Sequence, residues 1–146
     1  MGFRFPLAAV LRLRESLERR EYLALQALHS QVAEVRSDIK ALEQALVQAR
    51  IQRANQLKDG LSAAHLQLEL AGEARIQQKR QSLLAKLADL QTKVKEQISK
   101  YQQARRERET LEALRRKQLE EYTREQAVRE QQANDELFLL RRLHGK

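Results

Sequence analysis

Between residues 7 and 59, and again between 73 and 144, the chain contains neither glycine nor proline. Those two residues end helices and open turns, because proline lacks the N–H and glycine pays the largest backbone entropy. Two long stretches without them leave little room for a fold of many short elements. The remaining breakers are also well placed. Pro6 fits the first turn of a helix, where its missing N–H costs nothing. Lys58-Asp59-Gly60 reads as a helix C-terminus, with Gly60 as the left-handed residue and Ser62 as the next N-cap. Gly72 is expected either to kink the second helix or to separate a short connector helix (about 62–71) from it.

Apolar spacing agrees. Leu25, Leu28, Val32, Val35, Ile39, Leu42, Leu46 and Ala49 step by three and four without a miss. Ile76, Leu83, Leu87, Leu90 and Val94 do the same, with Arg80 filling one seam position. Ile98, Tyr101, Leu111, Leu114 and Tyr122 continue the pattern less strictly. Sustained 3-4 spacing is the signature of a coiled coil. The chain is 33% charged and 4% aromatic, so it lacks the bulky side chains of a thick core. The expected fold is therefore all-α: a single long antiparallel two-helix coiled coil, or helical hairpin, over 1–146. Helix one covers about 6–58, the turn and connector about 59–72, and helix two about 73–143. At ~1.5 Å per residue the second helix outruns the first by roughly 25 Å. Both chain ends are then expected at one end of a rod, with an unpaired helical tip.

Few classes of chemistry survive inspection. There is no cysteine, hence no disulfide or thiolate site. His29, His65 and His144 lie far apart, without metal-ligand spacing. No Gly-rich phosphate loop and no Gly-x-Ser-x-Gly elbow occurs. The carboxylates have basic neighbours at helical spacing, so ion pairing explains them better than acid–base work. No enzyme activity, metal or cofactor is expected. No apolar run approaches the ~20 residues of a membrane span. Arg4, Arg12 and Arg14 interrupt any signal-like core, so the protein is expected to stay where it is made. The net charge of +8 favours an acidic partner. Glu107, Glu109, Glu112, Glu120 and Glu121 dilute the most basic stretch, which argues against a basic-zipper reader of DNA.

Two stretches exceed what a two-helix seam needs. Leu137-Phe138-Leu139-Leu140 covers all sides of a helix, so one seam cannot bury it. Phe3, Phe5 and Leu7 pose the same question at the other terminus. Either these groups pack on one another as an end cap, or they meet a partner.

With both ends in view, the chain resembles the FliJ family, a small soluble component of the bacterial flagellar export apparatus. The resemblance rests on Phe3-Arg4-Phe5-Pro6-Leu7-x-x-Val10-Leu11-x-Leu13-Arg14-Glu15, on Asp59-Gly60-Leu61-Ser62-Ala63-Ala64, and on Leu111-Glu112-x-Leu114 with Tyr122, Glu130-Gln131 and Asp135-Glu136. It departs from the family in the middle, where Glu69 and Gly72 stand at positions that often carry aromatics. The resemblance implies a non-enzymatic, shaft-like coiled coil that associates with the export ATPase FliI, promotes its ring assembly, and helps link it to the gate protein FlhA and to substrate-delivery chaperones. It implies a cytoplasmic protein held peripherally at the inner face of the cell membrane, at the flagellar base. On that basis Phe3, Phe5, Leu7, Leu137, Phe138 and Leu140 are expected to give apolar contacts to the ATPase ring. Arg14, Arg115, Arg116 and Arg124 would meet its acidic surfaces. Leu42, Leu61, Leu66, Leu70, Ile76 and Leu83, around the turn, are the expected gate contacts; ordinary seam packing is the competing explanation, above all for Leu42 and Leu83. Alternatives are an injectisome-type stalk, another coiled-coil scaffold, or a nucleic-acid-binding helical protein.

Overall fold

The computed structural model describes residues 2–145. They form two helices, α1 over Ala8–Asp59 and α2 over Ala63–His144, with 52 and 82 residues. The helices pack against each other as an antiparallel hairpin. The cross-helix pairs show the direction: numbers rise on α1 as they fall on α2, from Arg14–Glu107 to Glu43–Arg80 to Arg53–Glu73.

Each helix end has a local cause. Pro6 and Leu7 lie in a turn closed by the Ala8 N–H donating to the Phe5 carbonyl at 3.1 Å. Proline thus sits just ahead of the first helical residue. At the other end of α1, Gly60 has φ +92°, the left-handed geometry that ends a helix. Ser62 then caps α2: its Oγ accepts from the His65 N–H at 3.2 Å, and its carbonyl accepts from the Leu66 N–H at 3.0 Å.

The connector helix expected over about 62–71 is not a separate element. Only three residues, 60–62, lie between the helices, and α2 runs unbroken through Gly72. Gly72 does not have a positive φ, and a Cβ placed there would meet nothing within 4 Å. A glycine in helical geometry weakens a helix by roughly 0.5–1 kcal/mol, too little to break one propagating from both sides.

Packing divides the chain into two compact units. Glu21–Tyr101 forms one; the chain up to Arg20 forms the other with Gln102 onward. In the Glu21–Tyr101 unit, Val32, Val35, Ile39 and Leu90 are buried, with Leu28, Leu83, Leu87 and Val94 packed on them. This is one layer of seam side chains, and no large side chain is completely enclosed. In the other unit Phe5 and Leu11 are the buried apolar residues.

The seam departs from the expected sequence at one place. Ile98 is exposed, and the seam residue is Gln97, three after Val94 and four before Tyr101. Burying an amide requires partners. Gln97 Nε2 donates to both the backbone carbonyl and the carboxylate of Glu21 on α1.

Candidate functional site

The surfaces of interest are the tail of α2, the turn, and the polar seam of the unit that holds both chain ends. On α1 the 3-4 spacing runs back from Leu25 through Glu21 and, in that unit, onto Glu18, Arg14 and Leu11. Charged residues therefore stand where α1 faces α2. Arg108 Nε donates to Glu18 Oε2 at 2.5 Å and Nη2 donates to Glu18 Oε1 at 3.2 Å, a forked pair. Its Nη1 donates to Glu112 at 2.5 Å. The Arg108 pKa is raised, chiefly by the hydrogen bond to Glu18 and then by Glu112, against an opposing desolvation effect. The group stays cationic at any pH the fold survives. Arg14 donates to Glu107 at 2.6 Å nearby. The spacing of Glu18 and Arg14 carries this layer, although apolar periodicity alone does not reveal it.

The expected ring contacts separate into two sets. Phe5 is buried, and Phe3 is half-buried with its ring 5.6 Å from that of Tyr122, tilted by 49°. Arg14 is engaged with Glu107. These three side chains have roles inside the hairpin. Leu7 is 38% exposed. Arg115, Arg116 and Arg124 are exposed and form no ion pair among the described residues. Leu137, Phe138, Leu139, Leu140 and Leu143 are all more than half exposed. Every described residue from 127 onward is exposed, so the last turns of α2 have no covering helix. Fifteen residues separate Tyr122 from Leu137, or about 22 Å of helix. The tail consequently does not pack on Phe3 and Phe5 as an end cap.

Of the expected gate contacts, Leu83 packs on the buried seam cluster and Leu42 is half-buried. Leu61, Leu66 and Ile76 are half-buried, while Leu70 is 46% exposed. Beside the turn, His65 Nε2 lies 3.2 Å from Glu69 Oε1, one helical turn on. Arg53 reaches Glu73 at 2.5 Å and so ties α1 to α2 near the turn. Leu57 and Leu68, not singled out by their spacing, are exposed there as well. No group of His, Asp or Glu among the described residues is arranged to hold a metal ion. No helix among them is long and apolar enough to cross a membrane.

The hairpin thus leaves an apolar helix tip that none of its own described residues bury. No curated protein and no solved structure matches the chain. The family model described as "Flagellar FliJ protein" matches residues 3–146, nearly the whole length. By that match, and by the long unequal helical hairpin that accompanies it, the chain belongs to the flagellar FliJ family.

Proposed function

We propose that this flagellar export component works as a non-enzymatic stalk and adaptor. It promotes assembly and activity of the ring formed by the export ATPase FliI, and couples that ring to the gate protein FlhA and to substrate chaperones. It acts in the cytoplasm, held peripherally at the inner face of the cell membrane at the flagellar base. Family membership supports the setting. The observation that carries the role is the tail of α2, where Leu137, Phe138, Leu140 and Leu143 are exposed on a helix with no covering partner. Contiguous apolar surface of this kind on a charged protein marks a docking site. Arg115, Arg116 and Arg124 on the same helix provide cations for acidic ring surfaces. Leu7 adds apolar surface at the start of α1; Phe3, Phe5 and Arg14 support the unit from within. Leu61, Leu66 and Leu70 form the surface offered to the gate, with Ile76 further along α2, while Leu42 and Leu83 serve the seam.

The test is the activity of the cognate flagellar export ATPase titrated with the full chain and with a chain ending at Glu136. Saturable stimulation by the full chain is expected. The shortened chain should stimulate weakly while keeping its helicity almost unchanged. Equal stimulation by both chains would remove the tail from the contact. No stimulation by a folded full chain would overturn the stalk role.

A further inference from the structure

Four lysines recur on α2 at every seventh residue: Lys79, Lys86, Lys93 and Lys100. Each immediately precedes a seam residue, namely Arg80, Leu87, Val94 and Tyr101. Because seam and lysines share one period, the lysines follow a single flank of the hairpin rather than winding around α2. They step by about 10.5 Å and extend over about 31 Å. All four are exposed. Lys93 meets Asp89 at 3.4 Å with both side chains largely in solvent, and the other three form no ion pair among the described residues.

The facing flank of α1 does not neutralise them. The residues preceding its seam positions are Ala24, Gln31, Asp38, Ala45 and Gln52, with one acid among five. Two cations of this unit that stand at seam positions do cross to a carboxylate, Arg80 to Glu43 and Arg53 to Glu73. At its Lys79 end the lysine flank also borders apolar surface. Asp38, Ala41, Leu42, Lys79 and Leu83 line a groove there, its two leucines both half-buried.

We propose that this flank docks an acidic amphipathic helix from a partner protein, lying along the groove as a third strand. Its carboxylates recur at heptad spacing and meet the lysines; its apolar face rests on Leu42 and Leu83. The small neutral residues Ala24 and Ala45 leave room for its backbone. A second copy of this chain does not supply such a ladder, since no more than two consecutive acids recur at intervals of seven, Asp89 and Glu96. Those two acids lie four residues before Lys93 and Lys100, on the outer side of the ladder. They oppose a broad polyanion such as duplex DNA or an anionic bilayer, but not a narrow helix seated in the groove. The inference stands apart from the ATPase reading and does not depend on it.

The probe is a designed peptide with leucine at its seam positions and glutamate on both flanks, labelled for fluorescence anisotropy against the full chain at low salt. Its controls are a scrambled isomer of equal composition, a short DNA duplex, and phosphatidylserine-containing vesicles. Replacing Lys79, Lys86, Lys93 and Lys100 together by glutamine should weaken peptide binding by about tenfold or more. Replacing Arg19, Lys117, Arg129 and Arg141 by glutamine, an equal change in net charge, should leave it within about twofold. A chain with Lys79, Lys86, Lys93 and Lys100 replaced by glutamate should instead bind a peptide with lysine flanks. Equal binding of the scrambled isomer, equal loss in the two glutamine variants, or tighter binding of DNA or vesicles than of the peptide would each overturn the proposal.

Discussion

Arg108 shows how much one side chain can decide in a single-layer seam. It is four-fifths shielded from solvent and holds Glu18 across the hairpin and Glu112 along its own helix. Replacing it with alanine leaves the well-shielded Glu18 carboxylate unpartnered. Arg108→Ala should therefore cost about 1–2 kcal/mol in urea unfolding, below the value for a fully buried pair because water still reaches the site. The double change Glu18→Leu with Arg108→Met should recover most of that loss, since apolar pairs often replace ion pairs without penalty. A double variant no more stable than Arg108→Ala would mean that the charges themselves hold this unit together. In the apolar part of the seam, Leu90 is the most buried residue of α2 and touches the α1 cluster. Leu90→Ala should cost about 2–4 kcal/mol by the same measurement, because a one-layer core has little second shell to fill the space.

At the scale of the element, two glycines separate the effects of backbone and packing. Neither has an atom within 4 Å of where a Cβ would be placed. Gly60 has φ +92°, and Gly72 does not have a positive φ. Gly60→Ala should destabilise by about 1 kcal/mol through strain alone. Gly72→Ala should stabilise by about 0.5–1 kcal/mol, by removing glycine from a helix interior. Thermal unfolding followed by circular dichroism gives both signs; two changes of the same sign would contradict the backbone assignment. These glycines also mark what could be read from the chain. The helical hairpin, the turn at Gly60 and the Ser62 cap were legible, because each follows from a local rule with one dominant cause. The continuity of α2 through Gly72 was not, since it depends on helix propagating from both sides. Nor was the burial of Gln97 in place of Ile98. Seam phase there is set by an amide that found partners on α1, and apolar periodicity alone points to the neighbour.

For the whole molecule, the consequence of two separate exposed surfaces is that their functions should be separable. The tail of α2 belongs to the unit holding both chain ends, and the turn to the Glu21–Tyr101 unit. On the proposed division of labour, the first serves the ATPase ring and the second the export gate. Leu66 is half-buried and Leu70 is 46% exposed, so trimming both leaves the Val32–Leu90 cluster intact. Leu66→Ala with Leu70→Ala should reduce pull-down of the gate protein while ATPase stimulation and helicity hold. The chain ending at Glu136 should do the reverse, and a mixture of the two should not restore export in cells. A stalk must carry both surfaces on one molecule to link its partners, whereas two independent binders would complement each other. Restored motility from the mixture would therefore break the coupling role while leaving each contact in place. A large loss of helicity in the double leucine variant would instead assign Leu66 and Leu70 to structure, and move the gate contact to the exposed Leu57 and Leu68 beside them.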